Sequence, residues 1–189
     1  QLGLPSALVD HQGDVNHLES LKRVVADAKP QVIIHMAAQS VVRESYNDPV
    51  KTFTTNITGT INVLEAARSL RSIRAILVVT SDKCYENIEK IHSYTESDPF
   101  GGHDPYSSSK ACAELVTRAY RDSFFHATKD LHVGVATARA GNVIGGGDWS
   151  PDRLVPDAIR AFSNGNELLV RFPNSLRPWQ HVFEPLAGY

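Results

Sequence analysis

Short unbroken runs of aliphatic residues alternate along this chain with longer stretches in which apolar residues recur every three or four positions. Val32-Ile33-Ile34-His35-Met36 and Ala75-Ile76-Leu77-Val78-Val79 are the clearest runs. Continuous β-branched apolarity predicts strands buried on both faces of a parallel sheet. Val133 to Ala138 predicts a further strand, Ala7-Leu8-Val9-Asp10 a short first one and Leu168-Leu169-Val170 a last one. Between them, Leu18, Leu21, Val25 and Ala28 mark a helix that Pro30 ends. Val50, Phe53, Ile57, Ile61 and Leu64 trace one face of a long helix reaching about Leu70. Another helix starts near Asp104 or Pro105 with Leu115, Val116, Ala119 and Tyr120 inward, one spans Leu154 to Phe162, and Val182 to Tyr189 reads as a helix beginning. Tyr85 to Gly102 carries Gly, Pro, Ser and charges without periodicity, which predicts a loop over a site.

Buried strands alternating with amphipathic helices define an α/β protein with a mostly parallel sheet. Ligands of such sheets bind beyond the carboxyl ends of the strands. Three polar clusters follow successive strands: Ala37-Ala38-Gln39-Ser40, Thr80-Ser81-Asp82-Lys83 and Arg139-Ala140-Gly141-Asn142. All of them are expected on one rim.

Composition narrows the partners. The chain has 189 residues, 42% hydrophobic, with a formal net charge of -2 and no basic block, so neither nucleic acid nor an anionic membrane is the expected partner. Small molecules are. No apolar run is long enough to span a bilayer. Cys84 and Cys112 show no paired or metal-type spacing and no signal peptide precedes them, which predicts a reducing, cytoplasmic setting. The histidines form no metal-binding pattern, so no metal is expected. Asn56-Ile57-Thr58 matches a glycosylation sequon but falls in a predicted helix. The chain opens on Gln1 and closes at Tyr189 inside a helix signal, and is expected to be a fragment.

The chemistry concentrates in Tyr106-Ser107-Ser108-Ser109-Lys110. Residues four apart share a helix face, so the Lys110 ammonium is expected beside the Tyr106 ring, favouring its phenolate. An unperturbed phenol titrates near about 10, so a base at neutral pH needs both that cation and a cofactor charge. A solvated Tyr and Lys four apart is common on helices, but the helix start after a polar loop, one strand beyond Ser81-Asp82-Lys83, favours catalysis. Ser81 either caps a turn or polarises a substrate oxygen. Asp82 and Lys83 are either an exposed pair or an acid and a base side by side, the equipment of an elimination. Arg139 and Arg177 are surface charges unless they pair with phosphate, and Arg177-Pro178-Trp179-Gln180-His181 joins a phosphate-pairing fork to an aromatic plane. Trp179 is equally placed to be core. Gly145-Gly146-Gly147 lacks the Lys-Ser/Thr of a phosphate loop and is expected to permit a tight turn or close approach of a ligand.

Taken together, Thr80-Ser81-Asp82-Lys83, Tyr106 to Lys110 and Arg139-Ala140-Gly141-Asn142-Val143 resemble the extended short-chain dehydrogenase/reductases, the NAD-dependent epimerase/dehydratases of nucleotide sugars. The resemblance covers nearly the whole chain. Ser81 to Tyr85, Gly101 to Tyr106, Gly141 to Trp149 and Arg177 to Val182 are most similar to the branch that dehydrates CDP-glucose. It implies a Rossmann-like, doubly wound sheet truncated at the N-terminus, with a partial NAD-binding domain at 1–150 and the start of a substrate-binding lobe at 151–189. It implies that Tyr106, Lys110, Ser81, Asp82 and Lys83 are catalytic, with Tyr106 as base, Asp82 as acid and Lys83 as candidate C5 base. Asp14, Ala37, Ala38 and Gln39, with Tyr106 and Lys110, would hold NAD, and Asn56 would lie deeper. Asn142, Arg139, Arg177 and Trp179 would meet the CDP-glucose, and the full-length parent would be a homodimer. The family's Gly-x-x-Gly-x-x-Gly turn is not among these residues, nor is the rest of the substrate lobe. Another nucleotide-sugar epimerase or dehydratase, or an inactive nucleotide-sugar-binding fragment, remain the alternatives.

Overall fold

The computed structural model describes residues 8–88, 92–126 and 133–189. A parallel three-stranded sheet is its centre, with β1 (Val32–His35), β2 (Ala75–Val79) and β3 (Gly134–Ala138) side by side in that order. Val32 lies opposite Ala75, and Ala75 opposite Gly134, so the strands run in step and their carboxyl ends form one edge. Alternation along each strand places Ile33, His35, Ile76, Val78, Val135 and Thr137 on one face. There α4 (Gly59–Arg68) and α5 (Pro105–Tyr120) pack, burying Leu64, Ala67, Ile73, Ile76, Val78, Phe125, Val133 and Val135 in one cluster.

The other face is different. Val32 and Ile34 are 55% and 51% exposed, and Met36 beside them is open as well. The apolar run at β1 predicts burial on both faces, yet the helices of the described residues that pack on the sheet cover one. A continuous apolar strand therefore reports what its surface needs, not which neighbours supply it.

Helix boundaries follow local chemistry. α1 (Leu18–Ala28) ends where Lys29 turns left-handed, with φ 44, and its N–H caps the Val25 carbonyl. Pro30 cannot continue it. α5 begins at Asp104, whose carboxylate accepts from the Ser107 N–H at 2.9 Å and the Ser107 hydroxyl at 2.6 Å, while Pro105 occupies the first turn where no N–H is needed. Such a cap contributes about 1 kcal/mol.

Some predicted positions need correction. Ala7 lies outside the described residues, and Leu8 to Asp10 join no ladder, since a strand persists only where a neighbour pairs with it. Leu168 to Val170 are likewise unpaired, with Leu169 exposed. The long second helix is a composite of α3 (Pro49–Phe53), a wide π-turn at Thr54–Thr58, and α4. A π-turn accommodates one extra residue and rotates the helix beyond it. As a result Val50 is exposed and Ile57 half-buried, and the stripe Thr52, Asn56 and Thr60 is buried instead. On α5, Leu115 and Ala119 face outward, while Ala113, Glu114 and Thr117 face the core.

Three elements carry no clear sequence signal. α2 (Val42–Asn47) follows β1, and β4 (Asn142–Ile144) pairs in parallel with β5 (Trp179–His181), joining Asn142 to Trp179 in register. α6 (Leu154–Ser163) and α7 (Phe183–Gly188) lie where helices are predicted. Among the described residues no helix is long and apolar enough to cross a membrane.

Candidate active site

The three polar clusters share a rim. Beyond the strands the ladder continues, with Thr80 N donating to Ala138 O at 2.8 Å and Asp82 N to Ala140 O at 3.0 Å. Ser81 is extended and caps the single 3₁₀ turn Asp82–Cys84: its hydroxyl accepts from Lys83 N at 3.2 Å and donates to Asp82 Oδ1 at 2.9 Å. The capping reading of Ser81 thus describes its resting bonds. Asp82 and Lys83 sit side by side, 3.7 Å between Oδ1 and Nζ, both partly exposed to the rim.

From the facing side α5 brings Tyr106 and Lys110. Tyr106 is 8% exposed. Burial holds its phenol above the usual tyrosine range, while hydrogen bonding to Ser81 and the more distant Arg153 guanidinium pull the other way and the Asp82 carboxylate pushes with the burial. One helical turn to a lysine therefore does not by itself give a low-pKa phenol. Lys110 is buried too and donates to the Val79 carbonyl at 3.1 Å, at the very end of β2. Burial lowers its ammonium to about 8, partly offset by Glu114. It is a cation at neutral pH with donors to spare, because an ammonium carries three N–H groups.

A buried amide ties the first rim segment to α5. Asn56 Nδ2 donates to Gln39 O at 3.0 Å and to Ser109 Oγ at 2.8 Å, and its Oδ1 accepts from Gln39 N at 2.8 Å. The Gln39 side chain bonds Thr52 and the backbone of Val41. Ala37, exposed, and Ala38, half-buried, are both small and leave the rim backbone approachable at the strand end. Asp14 is exposed, and its carboxylate accepts from Asn16 N at 2.9 Å.

Arg139 is placed otherwise than a substrate contact requires. Its guanidinium donates from Nε and Nη2 to the two Glu114 oxygens at 2.7 and 2.9 Å and from Nη1 to the Tyr85 hydroxyl at 2.7 Å. It lies between the Tyr85 and Phe100 rings, 4.8 and 4.9 Å from their centres. Glu114 is the residue that sequence reasoning misses. Its carboxylate stays ionised below the usual range despite burial, because Arg139, Thr80 and Thr137 donate to it. No local signal marks it, because an acid one turn past Lys110 can face inward only if cations or hydroxyls meet it there, and these come from distant positions. Cys84 packs nearby, fully buried, its thiol pushed up to about 12, so it stays protonated.

The β4–β5 pair brings Asn142 against Lys83 and sets Trp179 in register with Asn142. Asn142 N donates to Pro178 O at 2.9 Å, and Lys83 Nζ reaches Asn142 Oδ1 at 3.5 Å. Arg177, next along the chain, donates to the Leu176 carbonyl and is otherwise turned to solvent; Trp179 is 43% exposed. Gly145 is where the two strands close up, since a Cβ there would meet Val182 Cγ1 at 2.7 Å. Gly145 therefore serves a close approach within the chain, and Gly147, with φ 89 in the turn that follows, serves the tight turn.

Comparison with known proteins accords with this geometry. CDP-glucose 4,6-dehydratase of Salmonella typhimurium is 50% identical over 98% of the chain, which spans 52% of that protein. dTDP-glucose 4,6-dehydratase of Xanthomonas campestris pv. campestris is 29% identical over 84% of the chain and 45% of its own length. Among solved structures, DesIV, the dTDP-glucose 4,6-dehydratase of Streptomyces venezuelae crystallised with NAD bound, superposes with a TM-score of 0.81 at 29% identity, over 93% of this chain and 51% of that one. The chain spans about half the length of the curated relatives it matches. Residues 4–184 match the family described as GDP-mannose 4,6 dehydratase, and with the Rossmann-like parallel sheet this means that the chain belongs to that family of nucleotide-sugar enzymes.

Proposed function

We propose that this chain is the catalytic half of an NAD-dependent hydro-lyase that converts CDP-glucose to CDP-4-keto-6-deoxyglucose. The observation that carries the reading is the convergence of Tyr106, Ser81, Asp82 and Lys83 on one rim, on a chain 50% identical to a CDP-glucose 4,6-dehydratase. Residues 1–150 form the cofactor part and 151–189 the start of the substrate lobe, with β4 and β5 as the join between them.

The rim fits a dinucleotide. Lys110 is a buried ammonium with donors left for ribose hydroxyls, Ala37 and Ala38 clear a path along the β1 end, Gln39 is held by Asn56, and Asp14 stands exposed for the adenine end. When bound, NAD supplies the acceptor that takes the C4 hydride and later returns it to C6. Tyr106 takes the proton of the sugar 4-hydroxyl, with Ser81 polarising the same oxygen. The resulting 4-ketone acidifies the C5 proton, which Lys83 removes and later gives back to C5 to complete the 6-deoxy product. Asp82 protonates the departing 6-hydroxyl, and water leaves. Asn142, Arg177 and Trp179 face the cytidine diphosphate. The pairing of Asp82 with a lysine, where dTDP-glucose enzymes carry Asp-Glu, supports the cytidine branch. Full-length protein is proposed to form a homodimer through the outer face of α5, where Leu115 is exposed, and to work in the cytoplasm.

Incubation of the full-length protein with CDP-glucose, and separately with dTDP-, UDP- and GDP-sugars, tests this reading. An alkaline chromophore of a 4-keto-6-deoxy sugar from CDP-glucose is expected. Product from another nucleotide sugar alone would replace the substrate assignment, and no product from any would leave the chain a nucleotide-sugar-binding module.

A further inference from the structure

Glu114 ties α5 to the ends of β2 and β3 without touching the open rim. It is 4% exposed, and its Oε1 accepts from Thr80 Oγ1 and Arg139 Nε, its Oε2 from Thr137 Oγ1 at 2.7 Å and Arg139 Nη2. A carboxylate has room for about four such bonds, and these fill it, with the Cys84 thiol a weak fifth donor to Oε1 at 4.0 Å. Thr80 follows the last residue of β2 and immediately precedes Ser81, Thr137 lies near the end of β3 with Arg139 just beyond it, and Glu114 itself lies one turn beyond Lys110 on α5. Arg139 then carries the connection outward to Tyr85 and Phe100, which bridge the two ends of the loop over the site and flank the guanidinium.

Apolar contacts between a helix and a sheet are non-directional, and a helix on such a surface can slide or roll with little penalty. Charge-assisted hydrogen bonds are directional and stronger. We propose that Glu114 is a positioning residue: together with Arg139 it fixes the height and rotation of α5 against the ends of β2 and β3. In this way Tyr106 is held opposite Ser81 and Asp82, and the loop at Tyr85 is held in the same register. The assignment deepens the dehydratase reading and depends on it for the turnover arm of its test, though not for the structural arm.

Glu114→Gln keeps the shape and removes the charge. Amide hydrogen exchange on the full-length protein should show Asp82 and Cys84, whose N–H groups bond Ala140 O and Ser81 O, exchanging about tenfold faster than in the wild type. Thr117→Val is the control for packing alone, because Thr117 is fully buried on the same helix and bonds only its own Ala113 carbonyl among the described residues. In the control those amides should keep their rate. With CDP-glucose, Glu114→Gln should lower kcat about tenfold or more with KM within about threefold, as expected of a misplaced reacting group. Thr137→Val, which removes one donor and leaves the ion pair, should move both readouts in the same direction by less, and serves if the Gln variant does not fold. Wild-type exchange at Asp82 and Cys84 in both Glu114→Gln and Thr137→Val, or equal acceleration in Thr117→Val, overturns the positioning role. An inactive wild type overturns the dehydratase reading instead, and the exchange rates still decide Glu114.

Discussion

Arg139 and Arg177 are the same residue type, both followed by small or rigid neighbours, both surface charges by default on the sequence reading and both placed among the substrate contacts by the resemblance. The fold treats them oppositely. Arg139 has 14% of its side chain exposed, three donors placed on Glu114 and Tyr85, and an aromatic ring on each side. Arg177 is open to solvent and bonds the carbonyl of its own neighbour. An arginine becomes part of the scaffold where a buried acid meets it and remains available to a ligand where none does. The contrast extends to the regions around them: the strand-end interior has its polar groups matched, whereas the β4–β5 edge keeps its fork and its indole uncommitted.

The largest effect expected is therefore at Arg139. Arg139→Ala leaves Glu114 ionised and buried without its partner, and breaking a buried pair in this way costs about 3–5 kcal/mol. For a protein of this size that is a fall in Tm of roughly 10 °C, read by thermal denaturation. An unchanged Tm would mean that Arg139 and Arg177 are alike after all, and that the buried bonds contribute nothing net.

How much of this was legible in the sequence depends on where polarity sits. β1, β2 and β3 stand close to their predicted places because aliphatic runs have few alternatives, and α5 starts at Asp104 because an aspartate before a proline is a strong helix start. The stripe Thr52–Asn56–Thr60 and the acid Glu114 were not legible as interior, since polar residues count against burial until their partners are known. The same blindness misplaced Leu115 and Ala119, which took the inner face by hydrophobicity alone. β4 and β5 escaped because each is a three-residue strand defined by a partner more than thirty positions away. Tyr106, Lys110, Ser81, Asp82 and Lys83 meet at the rim their sequence positions point to, and the cap was one of two readings of Ser81, but the bond of Lys110 to the Val79 carbonyl was not legible.

A second, smaller effect separates the two regions by pH. His35 is buried at the end of β1 with its Nε2 on Thr60 Oγ1 at 3.2 Å, and burial together with the Lys110 cation depresses its pKa from 6.5 to about 4. The folded state resists a proton that the unfolded state accepts, so the contribution is fully present above pH 6.5 and is lost as pH falls toward 4. The magnitude is about 3 kcal/mol. Urea denaturation at pH 7 and pH 4.5 measures it, and His35→Gln should remove most of the difference between the two. If the variant keeps the wild-type slope, the acid sensitivity belongs to carboxylates elsewhere.

The smallest effect on stability should come from Arg177→Ala, and this is what makes it the sharper probe of the open edge. Its guanidinium bonds nothing beyond the Leu176 carbonyl among the described residues, so its loss should shift Tm by about 1 °C or less. Binding is where the residue is expected to act. A charge-assisted contact to phosphate is worth about 1.5–3 kcal/mol, so the affinity of the full-length protein for CDP should fall about tenfold or more. Because the site is solvated, the wild-type affinity should weaken with added salt, and more steeply than that of the variant. Titration calorimetry at two ionic strengths gives both quantities. A variant that binds CDP as the wild type does would move the phosphate site away from β5. Arg177 would then be an ordinary solvated charge, and the difference between the two arginines would be one of burial alone.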